Sequence, residues 1–410
     1  MLKTFEEFSK NIKFKVKLVS IDNLVFKLHY RVTFILLLVC TILVTSRQYI
    51  GEHIRCINDN GVPNNVIETF CFFTSTYTVV RHLDPSAVLS GGGMLPGVGP
   101  YVEGEPVVRH AYYQWVPFVL FLQALSFYIP HWIWRNKEGG RLKVIVNMFE
   151  YAALVSSDED ITVNNKKIPS RKAREENIAV VRKAFLERLH LNRPWAMWMV
   201  FCEVLNAVNL VAQFALTNAF LGGQFFSLGP KVVETSGDDA DILDIVFPKV
   251  TKCTFHKYGP SGSLQKHDAL CVMALNIINE KIYVCLWFWF VILSVATALG
   301  LLWRLFTFVF HSRSNAFNRR IFKLATPQQL EPYEMITVTR KCYYSDWLFL
   351  YYLAKNLDGF VFKDIFVGLA IDFDNADTKA LEDLADGASS KATTIVTDEE
   401  KEHLQEKKDS

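Results

Sequence analysis

The sequence predicts an all-α integral membrane protein that crosses the bilayer four times. Three observations predict it. Half of the 410 residues are hydrophobic and only 21% are charged. The apolar residues gather in four long runs, and Trp and Tyr cluster at the ends of those runs. An average soluble chain is about 25% charged, and 32 Phe is far above ordinary usage. The same composition excludes disorder over the whole chain. Eight Cys in this length are too sparse for a small disulfide scaffold. With 44 basic and 42 acidic residues the net charge is +2, which leaves no basic footprint for a nucleic-acid partner.

Crossing a hydrocarbon core of roughly 30 Å takes about 20 apolar residues in a helix. Four segments qualify: 28–50, centred on VTFILLLVCTILVT; 112–134, YYQWVPFVLFLQALSFYIPHWIW; 195–221; and 282–310, led by LWFWFVIL. Tyr112, Tyr113, Trp115, Trp132, Trp134, Trp195, Trp198 and Trp303 sit toward segment ends, where amphipathic rings favour the headgroup zone. No segment has the short core and small-residue cleavage site of a signal peptide, so the first span is expected to persist. Pro117 lacks a backbone donor and is expected to kink the second span near its outer end.

Orientation follows from the basic residues outside the spans. The arm 1–27 carries Lys3, Lys10, Lys13, Lys15, Lys17 and Lys27, and the connection 135–194 is also basic. The connection 51–111 has only Arg55, Arg81 and Arg109. Positive-inside bias then places both termini and 135–194 in the cytoplasm, with 51–111 and 222–281 outside. Cysteine placement gives an independent reading. Cys56 and Cys71 fall in the first outer loop and Cys253 and Cys271 in the second, where thiols oxidise. Cys40, Cys202 and Cys285 lie in spans, and Cys342 lies on the cytoplasmic side.

The remaining segments read as follows. The arm 1–27 is amphipathic, with Leu2, Phe5, Phe8 and Ile12 at roughly helical spacing. It suits an interfacial helix on the inner leaflet, or a helix folded into a central channel. The first outer loop contains SGGGMLPGVGPYVEGEP, too rich in Gly and Pro for regular structure. The stretches 135–194 and 311–371 read as cytoplasmic helices, with basic 171–188 as a solvated one. Residues 372–410 turn acidic and polar and read as a disordered tail.

Two constellations invite chemistry. In KCTFHKYGPSGSLQKHDALC, the spacings Cys253-x-x-His256 and His267-x-x-x-Cys271 could ligate zinc. An exterior disulfide framework is the stronger reading, because oxidised sulfur is no metal ligand. Four Cys allow three pairings, and spacing does not choose among them. In the third span, Glu203, Asn206, Asn209, Gln213 and Thr217 fall within an arc of about 120° on one face. Such a stripe avoids lipid and serves either as interhelical hydrogen-bonding glue or as a pore lining. Arg47 reads as a snorkelling anchor at the outer end of the first span, or with Glu52 as a charged ring at an outer mouth. Neither a G-x-S-x-G, an H-E-x-x-H nor a P-loop is present, so no catalytic residue, cofactor or metal is expected.

The run YYQWVPFVLF at 112–121 resembles the signature of innexins, the invertebrate gap-junction proteins. The same family is resembled by two Cys per outer loop, by KCTFHKYGPSGS, by ALNIINEKIYVCLWFWF and by the opening IDNLVFKLHYR. The likeness runs from about Asp22 to Tyr352, looks strongest to insect members, and does not cover the acidic tail. It implies a ring of identical or mixed innexin subunits, eight per hemichannel, enclosing a wide aqueous pore within membrane lipid. Two hemichannels would dock end to end between cells. It also implies loop-to-loop disulfides, nested as Cys56–Cys271 and Cys71–Cys253, and a helical cytoplasmic dome. In the family the N-terminal helix enters the pore, which makes Leu2, Phe5 and Phe8 gating candidates and leaves the third-span stripe to packing.

The expected function is passive conduction of ions and small metabolites between neighbouring cells. A non-junctional hemichannel is one alternative, and a tetraspan adhesion or scaffold protein is another. Neither outer loop carries Asn-x-Ser/Thr, so no N-linked glycan would obstruct a docking face.

Overall fold

A computed structural model of the chain describes residues 19–51, 54–58, 62–83, 95–152, 159, 161–163, 166–234, 242–325 and 330–379. The chain divides into two compact units. One joins Asn23–Trp134 to Phe201–Leu302, and the other joins Met1–Asp22, Arg135–Val200 and Trp303–Ser410.

Among the described residues four helices are long and apolar enough to cross a membrane: Leu24–Ile50, Val116–Glu138, Arg193–Phe220 and Ala274–Phe310. The first starts where a polar side chain satisfies a free backbone amide. It opens at Leu24, because the Asn23 side chain accepts from the Phe26 amide at 2.6 Å. The fourth begins at Ala274 rather than near Ile282. Asn276, Asn279 and Glu280 look like loop residues in sequence but are buried in the helix, where Asn276 Nδ2 donates to the Pro248 carbonyl at 2.9 Å.

The second span corrects the expected kink. Tyr112–Gln114 form a 3₁₀ turn and the α-helix starts at Val116, so Pro117 lies in its first turn. Amides there have no intrahelical acceptor, and proline fits without cost. The proline inside the helix is Pro130.

In the first unit the spans share a core of aliphatic and aromatic side chains. Leu37, Leu120, Phe127, Leu210 and Phe290 are fully or almost fully buried. The Phe290 ring meets Phe127 at 6.0 Å and Phe214 at 5.4 Å between centroids. Gly229 is required by packing, since a Cβ there would overlap the Trp287 ring. On the outward faces Ile42, Leu122, Val211, Ile292 and Leu302 are all more than half exposed. Water would penalise such a surface, and lipid tails solvate it.

The all-α expectation is corrected by the outer loops. They build a five-stranded antiparallel sheet in the order β1-β7-β6-β2-β3, from Arg55–Ile57, Leu264–Val272, Val250–Tyr258, Thr76–Val79 and Val107–His110. The strands are rich in Val and Thr, which suit a pleated and half-buried surface. The long β6–β7 hairpin turns over YGPSGS, where Gly262 takes φ +78 and the Gly259 amide donates to the Ser263 carbonyl at 2.8 Å. The helix Asn64–Thr74 completes this region.

Among the described residues the second unit is helical apart from a small hairpin, β4–β5, at Ile161–Val163 and Lys166–Ile168. Its helices are Arg141–Met148, Arg171–Glu187, Asn315–Ala325, Pro332–Lys341, Tyr344–Asn356 and a last one over 359–379. Trp347 is buried at the centre and donates to Asn318 Oδ1 at 3.0 Å. The last helix corrects the expected tail boundary, because 372–379 continue it. Phe373 is buried, Lys341 reaches Asp377 at 2.6 Å, and Arg182 reaches Asp372 at 3.4 Å. One apolar anchor and two ion pairs hold these residues to the unit, although 375–379 are exposed. Residues 380–410 lie outside the described residues.

Candidate functional site

The outer sheet is welded by two disulfides. Cys56 on β1 pairs with Cys271, its direct opposite on β7, and Cys71 in the outer helix pairs with Cys253 on β6. Each joins the first outer loop to the second, across 215 and 182 residues of sequence. In the chain-entropy view, closing loops of that length removes on the order of 5 kcal/mol of unfolded-state freedom. Cys56, Cys71 and Cys271 bring their sulfurs within 4.8 Å of one another, yet all three are oxidised and offer no thiolate to a metal. His256 is exposed on the hairpin, away from any such role.

The YYQW run holds this region to the second span. The hydroxyl of fully buried Tyr113 donates to the Phe72 carbonyl at 3.3 Å, and Gln114 Nε2 donates to the same oxygen at 2.5 Å. Phe72 is the neighbour of Cys71 near the end of the outer helix, whose last carbonyls have no intrahelical donor. Tyr112 donates to the Val246 carbonyl at 3.4 Å, so the run touches both outer loops. Trp115 is 61% exposed on the outside.

Charge pairs lace the same surface. Lys252 meets Asp268 at 3.2 Å, Arg81 meets Glu105 at 2.8 Å, and Lys266 pairs with Glu103. Lys249 lies 2.7 Å from Asp244 and 3.5 Å from Glu280. Burial alone would lower its pKa, but the two carboxylates more than offset this and hold it above the ordinary lysine value. His110 on β3 is buried, bonded to the Thr78 hydroxyl at 2.8 Å, and desolvation pushes its pKa down to about 4. This neutral histidine escapes sequence reasoning; its only sequence signal is its place just before the YYQW run.

The polar stripe of the third span faces inward. Glu203 accepts from Asn23 Nδ2 at 2.6 Å, Thr217 accepts from Gln123 Nε2 at 2.8 Å, and Gln213 Nε2 donates to Ser126 at 2.8 Å and to Asn209 Oδ1 at 3.3 Å. Glu203, Asn206, Gln213 and Thr217 are buried and Asn209 is half-buried. The stripe therefore spends part of its polarity on Asn23 and on the second span, while Asn206 Oδ1, Asn209 Nδ2 and Gln213 Oε1 are buried without a partner among the described residues. Gln123 and Ser126 lie inside an apolar run and carry no signal in sequence that they are its partners.

The pore candidates stand differently. Arg47 is exposed in the last turn of the first span, with its side chain against Gly51. Leu2, Phe5, Phe8 and Glu52 lie outside the described residues.

Four apolar spans, with two of the connecting loops tied by disulfides into one sheet, define a multi-pass membrane protein. The innexin family model matches residues 22–373. The chain is 50% identical to innexin inx7 of Drosophila melanogaster over 381 residues, 92% of this chain and 86% of that protein. It is 42% identical to innexin inx2 of Schistocerca americana and 41% identical to innexin inx2 of Drosophila melanogaster, each over 87% of this chain, covering 94% and 92% of those proteins. The chain belongs to the innexin family. Innexins are gap-junction channel proteins, a channel family rather than an enzyme family, and that is the function of this chain.

Proposed function

We propose that copies of this chain, alone or with other innexins, form a ring of eight around a wide aqueous pore, and that two such rings dock end to end between adjacent cells. Both termini lie in the cytoplasm, the outer sheet faces the intercellular gap, and the helices of 135–194 and 311–371 form a dome at the inner mouth. The observation that carries the docking reading is the sheet itself. Both outer loops share it, and two disulfides fix it, so it meets a second face without having to be ordered first.

A pore wide enough to leave permeants hydrated avoids their desolvation cost, so selectivity is loose and is set by charged rings. Arg47 and Glu52 supply the outer ring in this reading. The arm with Leu2, Phe5 and Phe8 supplies a movable plug at the inner end. The third-span stripe holds helices together and does not line the lumen.

Dye transfer between paired expressing cells, compared with dye uptake by single cells, tests the assignment. Transfer between pairs is the expected result. Uptake without transfer would make the protein a non-junctional hemichannel, and neither would leave an adhesion or scaffold protein.

A further inference from the structure

Between Leu28 and Thr33 the first span leaves the α-helical register and makes a π-helical turn. A π turn accommodates one residue more than the α form, is rare, and is frequent at functional sites. Here its neighbours hold it, all within one compact unit. The Thr33 hydroxyl donates to the Leu28 carbonyl, five residues back, at 3.0 Å, and its oxygen accepts from Trp289 Nε1 at 2.9 Å. His29 Nε2 meets the Thr297 hydroxyl at 2.8 Å. Just before the turn, Val25 rests on the bare backbone of Gly300, where a Cβ would stand 3.4 Å from Val25 Cβ. Trp289, Thr297 and Gly300 all belong to the fourth span, so the turn is fastened along a single helix.

The packing beside this fastening is incomplete. Val25, Phe26, His29, Asn206 and Gly300 border a small cavity. His29 Nδ1 and Asn206 Oδ1 are buried there without a partner among the described residues. The segment thus has space next to it and polar groups that its present arrangement does not satisfy.

We propose that the π turn is a two-state hinge, pinned to the fourth span by Thr33, His29 and Val25, and that its relaxation to α register moves Leu24–Lys27. Loss of the extra residue from the turn rotates Leu24–Lys27 by about 100° relative to the rest of the span. That rotation takes Val25 off Gly300 and His29 off Thr297. Its consequence for gating rests on the channel reading; the hinge itself is a property of the fold and is measured separately.

The test is a cysteine pair, Val25→Cys with Gly300→Cys, in full-length protein whose Cys40, Cys202, Cys285 and Cys342 are changed to Ser. The Cβ separation of 3.4 Å is close to the range of roughly 3.5–4.5 Å that a disulfide spans. Membranes are oxidised with copper phenanthroline, denatured, and labelled with a maleimide polymer that counts free thiols. Most chains are expected to be protected. Thr33→Val with Thr297→Val keeps shape but removes both hydroxyls, and is expected to slow cross-linking about fivefold or more. Absent protection, or protection at an unchanged rate in the valine background, overturns the hinge. Should the cysteine variant fail to fold, amide exchange on T33V/T297V replaces it. Faster exchange confined to residues 24–33 is expected, and unchanged exchange overturns the proposal. In paired cells, oxidation of the cysteine pair is expected to abolish gating transitions reversibly. Complete cross-linking with normal gating removes the hinge from gating, whereas a lack of current in the unsubstituted protein counts against the channel reading and leaves the cross-linking result standing.

Discussion

Cys56 and Cys271 stand opposite each other in the β1–β7 ladder and are joined sulfur to sulfur, although 215 residues separate them in sequence. The bridge locks a register that the three residues of β1 could not hold alone. Replacing both with Ser is expected to cost about 2–5 kcal/mol of stability and to abolish coupling between cells. Thermal unfolding of the purified protein and paired-cell conductance read the two effects. Coupling at the unsubstituted level would show that the welded sheet is dispensable for docking.

Gly229 lies against the Trp287 ring with no room for a methyl group. Gly229→Ala is expected to destabilise the outer end of the bundle by about 1–3 kcal/mol. Trp287→Leu should restore part of that loss in the double variant, because the overlap is with the indole. A melting curve for each of the four proteins in the cycle tests the coupling.

The third-span stripe separates packing from conduction. Thr217→Val removes the acceptor for Gln123 Nε2 and is expected to cost about 1 kcal/mol. Single-channel conductance should stay the same, since the side chain is buried between helices. A conductance change in a protein of normal stability would move the stripe into the lumen.

Buried His110 gives the outer sheet a defined pH dependence. Its pKa lies near 4 in the folded protein and near 6.5 when unfolded, so between these values the unfolded chain binds more protons. Stability therefore falls as pH drops below about 6.5 and levels off near 4, with a loss of about 3 kcal/mol from this group. The melting temperature of the unsubstituted protein should fall between pH 7 and pH 5 by more than that of His110→Gln. Equal slopes would contradict the assignment of a neutral buried imidazole.

Deleting residues 2–19 tests the arm as plug. Surface assembly is expected to persist while conductance or gating changes; unaltered currents would remove the arm from the mechanism.

Much of this was legible in sequence where the physics is local. Four runs too apolar for water mark the spans, and the polar stripe of the third span announced that it would not face lipid. The outer sheet was not legible, because β2 and β6 come from different loops and meet only around Tyr77 and Lys252. No hydrophobic period within either segment reports such a pairing. Pro117 misled because a proline in an apolar run reads as a kink until the helix start at Val116 is known. Asn276 and Glu280 hid the true start of the fourth span, since the Pro248 carbonyl and the Lys249 ammonium that meet them come from another segment. The π turn at Leu28–Thr33 likewise depends on Trp289 and Thr297, far along the chain.

The most direct measurement is electron microscopy of the purified full-length protein, in detergent and again in lipid nanodiscs. Rings of subunits around an open lumen, some stacked through their outer faces, are the predicted particles. Separate protomers without a lumen in both media would contradict the account at its centre.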